Sequence, residues 1–382
     1  MAQHAILSAS GAYRWLKCTP SARLERQFKD EQSPYAAEGT RAHAAAEQLL
    51  TKELFPDRKV AEPKFDDKEM EIAVRRYVDI CMEKVIAARK RTPDADIQVE
   101  ARVDFSRWVP EGFGTGDMVI VADDAMEIVD LKYGKGVPVS AEGNPQMRLY
   151  ALGAYEANSL LYDIKTIRMT IVQPRLDSVN SDEMSIEELI AWGDSIKDTA
   201  KLAYDGEGEC QAGDHCGFCK ARHLCRALSN ACLDEFYKHG GKKTSLLLDT
   251  EVAEVLDMAD MIIKWAKDVQ NYAFDQAVNE GKNWPGYKLV EGRSSRKITN
   301  AEAAAKALLD ADFTAEDIYK PQELRGITDL TKLVGKKKLT DTIGQFIDKP
   351  PGKPTLVPLS DKRAPLELDP VNVDDFDDSL VD

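Results

Sequence analysis

Residues 114–132 of this 382-residue chain read GTGDMVIVADDAMEIVDLK, and that run constrains the fold more than any other. Met118 to Ala122 and Met126 to Leu131 have the apolar, β-branched content of buried strands, with Asp123 and Asp124 between them as a solvated turn. Buried strands exclude unpaired charge, because desolvating an ion is unfavourable unless something compensates it. Yet Asp117 follows a Gly-x-Gly turn at the head of the first strand, Asp130 sits in the second, and Lys132 follows it. Side-chain alternation puts Asp130 and Lys132 on one face. If the strands are neighbours, two carboxylates and an ammonium share a small volume. Either a salt-bridge network or a hard divalent cation, Mg²⁺ or Mn²⁺, then balances them. In the second case the lysine sits where it can orient a nucleophile or stabilise a developing oxyanion.

The flanking sequence supplies the rest of an α/β pattern. LSASGAYRWLKC opens as a helix with Ser8 or Ser10 as N-cap, and YAAEGTRAHAAAEQLL gives a second helix beginning near Gly39. A third runs from about Asp67 to Arg89. DIQVEARVDF precedes the two charged strands and TIRMTIVQPRL follows them, both with strand character. Between MEIVDLKYG and TIRMTIVQPRL, Asn144 is a suitable N-cap and Pro145 suits a first helical turn. Three strands, a crossover helix and a further strand define a mixed sheet flanked by helices.

Composition narrows the function classes. At 43% hydrophobic the chain can bury a sizeable core, and no apolar run approaches the ~20 residues of a membrane span. The N-terminus lacks the layout of a signal peptide, so a cytoplasmic protein is expected. A net charge of −15 argues against coating nucleic acid through overall electrostatics but leaves room for a local basic groove. VGKKK and GGKKTS lack the spacing of a phosphate-binding loop, so no motor is expected.

Gly-x-x-Asp, then Asp-x-Lys on the next strand, then Gln146 and Tyr150 on the following helix, together with EGTRAH near the N-terminus, resembles the PD-(D/E)XK nuclease superfamily in its RecB-like branch. Gln146 and Tyr150, four apart, share a helix face. The resemblance implies an α/β restriction-endonuclease-like core. It implies metal ligation by His43, Asp117, Asp130 and the carbonyl of Leu131, with Lys132 as catalytic lysine and Gln146 and Tyr150 placing substrate. Glu100, one strand earlier, takes a lesser role, supporting the ligands or a second metal. At the level of the whole chain the likeness, over most of residues 1–365, is to a phage-associated family that ends in GKPTLVPLSDKR. It implies a metal-dependent DNA nuclease, an exonuclease on DNA ends in recombination or replication. A single-stranded DNA-binding or annealing protein is the implied partner. The alternative is a non-catalytic DNA-binding or assembly module on a nuclease scaffold.

Seven cysteines in a long cytosolic chain point to metal or redox chemistry rather than a disulfide framework. Cys216, Cys219 and Cys225 bunch in CQAGDHCGFCKARHLC, which suits a metal with Cys210, His215 or His223 as a fourth ligand if the metal is zinc. The RecB-like iron–sulfur subgroup instead uses one cysteine before the nuclease core and three after it. Cys18, in a Cys-Thr-Pro context that departs slightly from the subgroup's Cys-Pro, takes the first position. A [4Fe–4S] cluster on Cys18, Cys216, Cys219 and Cys225 is therefore implied, stapling the N-terminal helix to the end of the nuclease domain. Cys81 and Cys232 read as buried thiols.

The domain plan is a nuclease domain over residues 1–235, an α-rich accessory domain over 245–348, and a proline-rich linker with an acidic disordered tail over 349–382. The accessory domain opens with a long amphipathic helix carrying Val255, Met258, Ile262, Trp265, Val269 and Tyr272 at helical spacing. Arg293, Arg296 and Lys297 in a short hairpin, and Lys336 and Lys337 further on, form its basic patches and are candidate phosphate contacts.

Overall fold

The computed structural model describes residues 5–28, 34–238, 248–290 and 300–310, with shorter pieces between 314 and 347. The chain divides into two compact units, Met1–Ser294 and Ser295–Asp382. In the first unit a five-stranded sheet runs β1 (Asp96–Asp104), β2 (Phe113–Val121), β3 (Ala125–Leu131), β4 (Thr166–Gln173) and β5 (Ser178–Ser185) in spatial as well as chain order. All neighbours are antiparallel except β3 and β4, which are parallel. A parallel pair needs a crossover, and helix α5 (Pro145–Asn158) supplies it. As the sequence leads one to expect, Asn144 caps α5, its Oδ1 accepting the N–H groups of Gln146 and Met147, with Pro145 in the first turn.

The N-terminal segment begins as a 3₁₀ turn, Ala9–Gly11, before the single turn of α1 (Ala12–Trp15), and Ser8 is the cap. A short α2 (Ser21–Glu25) follows. Helix α3 spans Pro34–Leu54, starting five residues ahead of the expected Gly39, because Ala36 and Ala37 sustain a helix and Gly39 is tolerated inside it. Helix α4 (Lys68–Arg91) is capped by Asp67, which accepts the N–H of Met70 at 2.8 Å. Helix α6 (Ile186–Asp205) opens on a capping box between Ser185 and Glu188.

The two faces of the sheet carry separate cores. Helices α3 and α4 pack on one face against Ile97, Met118, Ile120, Val129, Leu131 and Val172. On the other face α5, α6 and the N-terminal segment pack against Val103, Val119, Ile128, Ile167, Met169 and Ile171. Odd-numbered residues therefore swap faces along β1: Ile97 and Val99 join the α3/α4 core, while Ala101 and Val103 join the other. The inversion falls at Glu100, whose φ of 50° is in the left-handed region, and a rotated peptide there resets the alternation. Strand β2 inverts alongside it. Gly114 faces the ring of Tyr150 on α5, whereas Met118 packs under α3 and α4.

Further features go beyond the sequence reading. β2 begins at Phe113, so GTGD is strand rather than turn. A Cβ on Gly114 would stand 2.7 Å from Tyr150 Cε1, and that close approach accounts for glycine. β5 was not anticipated: SVNSDEMS is polar and carries only two apolar side chains, but it pairs with β4 along its whole length as an edge strand. Finally, after α7 (Arg226–Lys238), helix α8 (Asp249–Asn279) belongs to the first unit, with Met261, Ile262 and Trp265 packed against Cys216, Leu228 and Cys232. The first compact unit runs to Ser294. The second unit contains the helices Ala301–Leu309 and Lys336–Ile343. Arg293, Arg296, Lys297 and the acidic tail lie outside the described residues, and Lys336 and Lys337 open the second of these helices. Among the described residues no helix is long and apolar enough to cross a membrane.

Candidate functional site

The ladder between β2 and β3 runs from Val121↔Met126 to Met118↔Val129 and stops before Asp117 and Asp130. Beyond it the strands part, and side chains replace backbone bonds. Asp117 Oδ2 accepts the N–H of Leu131 at 2.6 Å, and Asp117 Oδ1 lies 3.1 Å from His43 Nδ1 on α3. In an extended strand the N–H and C=O of one residue point the same way, so the Leu131 carbonyl also turns toward β2. The Lys132 N–H turns the other way, to Val172 O of β4 at 2.9 Å.

Across β3 a second set forms. Lys132 Nζ stands 2.9 Å from Asp130 Oδ2 and donates to Gln146 Oε1 at 2.9 Å. Gln146 Nε2 reaches Asp130 Oδ1 and Tyr150 Oη, both at 3.3 Å. The Asn144 cap fixes the start of α5, so Gln146 falls in its first turn and Tyr150 one turn on, both over the end of β3. All the residues that the sequence singles out here, His43, Asp117, Asp130, Leu131, Lys132, Gln146 and Tyr150, therefore come together in one place.

Glu100 belongs with them more closely than its position in the sequence suggests. It stands opposite Asp117 in the β1–β2 register, and ligand atoms of His43, Glu100 and Asp117 all lie within 4.8 Å of one another, close enough to share one metal ion. No local pattern marks it. Only the left-handed backbone at residue 100, itself a tertiary outcome, turns its carboxylate into the group.

The electrostatics are those of carboxylates crowded with too little cation. Burial, then the charge of Asp117, pushes the Glu100 carboxyl up to about 7. Asp130 is 3% exposed and also raised, by burial first and Asp117 next, with Lys132 opposing. Burial pulls His43 down, but its hydrogen bond to Asp117 and the surrounding carboxylates outweigh that, and its net shift is upward. Asp130 Oδ2 faces Lys132 yet completes no well-aligned hydrogen bond, so a buried lone pair is left over. Among the described residues His43, Glu100 and Asp117 form the group that could hold a metal ion, while Asp130 is turned to Lys132 and Gln146 beside it.

The cysteines form a second assembly, between the N-terminal segment and the turn Asp214–Phe218. Every cysteine is free, and Cys18, Cys216 and Cys219 are buried. Burial, then the proximity of Cys18 and Cys225, raises the Cys210 thiol to about 11. Cys216 is raised too, by burial first, and feels Cys225 and Cys18. Cys219 lies near Cys216, Glu25 and Arg14. Cys210 thus sits among the other thiols, a closeness the sequence spacing does not reveal. The histidines do not join them: His215 Nε2 is 2.9 Å from Gln211 O, and His223 packs between the rings of Phe28 and Tyr272. Cys81, on α4 beneath the site, has its thiol raised to about 12 by burial.

Residues 4–364 match a family model described as "Protein of unknown function (DUF2800)", and the chain belongs to that family. Among solved structures it is similar to one described as "Crystal structure of SSO0001", at 13% identity with a TM-score of 0.23, covering 55% of this chain and 95% of that one.

Proposed function

We propose that this protein is a divalent-metal-dependent deoxyribonuclease of the PD-(D/E)XK type, an exonuclease acting on DNA ends. The observation that carries this reading is the triad of His43, Glu100 and Asp117, with the Asp130–Lys132 pair beside it, where β2 and β3 part. His43, Asp117, Asp130 and the Leu131 carbonyl are the ligands, with Glu100 beside them. Mg²⁺ or Mn²⁺ bound there supplies positive charge against that building on a phosphodiester and makes water easier to deprotonate.

The chain's own groups do the rest. Lys132 carries a fixed ammonium to the scissile phosphate, where it orients the attacking water and offsets charge on the phosphoryl oxygens. Its position is held from two sides, by Asp130 and by Gln146 Oε1. Tyr150, whose hydroxyl burial keeps protonated, holds Gln146 in turn. A scaffold that only binds DNA has no use for a lysine pinned in this way over a crowd of carboxylates.

The thiols fit a [4Fe–4S] cluster on Cys18, Cys216, Cys219 and Cys225 in a structural role. Tetrahedral zinc with bonds near 2.3 Å draws its sulfurs to about 3.8 Å from one another. What supports a metal here is that the thiols of Cys18, Cys210 and Cys225 lie against one another beside Cys216, and zinc on such thiolates is the alternative to the cluster.

The test is direct. Purified protein is incubated with end-labelled linear DNA and with covalently closed circular DNA, with Mg²⁺, with Mn²⁺ and with chelator. Metal-dependent loss of linear DNA with the circle intact is the expected result. DNA binding without any hydrolysis overturns the reading and leaves the binding module. The same assay with the host's single-stranded DNA-binding or annealing protein added tests that partner.

A further inference from the structure

Just past the carboxyl ends of the two parallel strands lie Lys132, Tyr133 and Lys135, following β3, and Arg175, in the turn after β4. Crevices beyond the carboxyl ends of parallel strands are where open α/β sheets take their ligands. Lys132 belongs to the site described above, but the other three face the α3/α4 side and have no part in it. Arg175 lies over the Tyr133 ring, 4.7 Å from its centroid, and its side chain is only 8% exposed. Glu38 of α3 holds Arg175 Nη1 at 3.3 Å, and Glu69 of α4 holds its Nε at 3.1 Å. Lys135 reaches the same Glu69 at 3.4 Å.

Two observations point to a missing ligand. Tyr133 is 4% exposed, and its hydroxyl has no hydrogen-bond partner although Glu38, Asp67, Glu69 and Arg175 surround it. A phenol hydroxyl is a donor at neutral pH, so an acceptor is what is missing beside it. Separately, Gly134 and Gly136 flank Lys135 with no atom within 4 Å of where a Cβ would stand, and neither has positive φ. Nothing in the fold's sterics calls for glycine there, whereas close approach of an anion to bare backbone does. Arg175 keeps at least two N–H groups beyond those its glutamates use, and the exposed Lys135–Glu69 contact exchanges readily.

We propose that Tyr133, Lys135 and Arg175 anchor a phosphate of the nucleic-acid strand next to the one at the carboxylate site. This rests on the nuclease reading, and it adds the means by which a strand is held beside the bond that is cut. The phosphate is either an internal phosphodiester or a terminal monoester.

Equilibrium binding of the full chain to single-stranded DNA, measured by fluorescence anisotropy without divalent ion, tests the anchor independently of cleavage. Oligonucleotides with and without a 5′-phosphate are compared across a salt series. Lys135→Ala should lower the slope of log affinity against log salt by about one, as loss of one phosphate contact does. Tyr133→Phe should weaken binding about fivefold with an unchanged slope and an unchanged Tm, as loss of one neutral donor does. Losses confined to the 5′-phosphorylated strand assign a terminal phosphate, and losses on both strands an internal one. Wild-type affinity and slope in both variants, or no binding by the wild-type chain, overturn the anchor. Whether the wild-type protein hydrolyses DNA with Mg²⁺ is read separately, so the two proposals fail independently.

Discussion

Glu100 stands opposite Asp117 between β1 and β2 on a left-handed backbone, φ 50°, and so two carboxylates are brought to His43. A strained residue of this kind costs on the order of 1–3 kcal/mol and persists where the surrounding structure holds it, often at functional sites. The charge repulsion is relieved either by a proton on Glu100 or by a cation that the carboxylates share.

The first expectation concerns pH. Glu100 rises from an ordinary value near 4.5 to about 7 in the folded chain, by burial and then Asp117. Between these values the folded state holds the proton more tightly than the unfolded one, so stability falls as pH rises through that window. Without divalent ion, Glu100→Gln should therefore be more stable than wild type at pH 8, by on the order of 2 kcal/mol. The difference should vanish below about pH 4.5, where Glu100 is protonated in both states. Thermal melts across pH check this, and added Mn²⁺ should remove the wild-type loss. A gap between the proteins that is constant with pH counts against the assignment.

Lys132→Ala should lower the DNA cleavage rate by at least about a hundredfold, the scale of losing one group that stabilises transition-state charge. Its Tm should hold or fall slightly, since Asp130 loses a partner but can take up a proton. Cleavage by the variant at the wild-type rate in Mg²⁺ would remove Lys132 from the mechanism.

Gly114→Ala tests the packing that places Tyr150. The added Cβ meets Tyr150 Cε1 at 2.7 Å and must push the ring, and with it Gln146, off Lys132. Destabilisation of about 1–3 kcal/mol is expected from overpacking, together with a drop in kcat larger than any change in KM. Chemical denaturation and steady-state kinetics measure the two parts. Unchanged kcat would mean that Tyr150 has no hold on the lysine.

The thiol assembly predicts a colour. Protein purified without oxygen should be brown, with absorbance near ~400 nm that bleaches on oxidation, as thiolate-ligated iron does. Cys18→Ser should remove it and lower the Tm, because this thiol lies against Cys210 and so joins the N-terminal segment to the cysteine-bearing segment after α6. Cys210→Ser should keep the colour. Colourless protein with stoichiometric zinc would exchange the cluster for a single-ion site.

Local rules carried much of the fold and most of the site. Alternation placed Asp130 and Lys132 on one face of β3, and Asn144 with Pro145 set the start of α5, which aims Gln146 at the lysine. His43, Asp117 and Tyr150 come instead from the resemblance to the RecB-like nucleases, carried by EGTRAH, Gly-x-x-Asp and the Gln146–Tyr150 spacing, and the structure sets His43 against Asp117 and Tyr150 against Gln146.

What the sequence could not decide depended on contacts between segments far apart in the chain. The resemblance assigns Glu100 only a supporting role, whereas the fold places its carboxylate beside His43 and Asp117 from a left-handed backbone that no local pattern announces. β5 has almost no apolar pattern and is a strand because β4 offers it an unpaired edge. Helix α8 has the periodicity of any amphipathic helix, which says that one face is covered but not by what; the thiol lobe turned out to be its partner. The Tyr133–Arg175 pair joins loops after different strands, which only the crossover through α5 makes neighbours. Periodicity and capping act over one or two turns and are written in the chain; strand order, face inversion and loop adjacency are set by the closing of the sheet between its two helical layers.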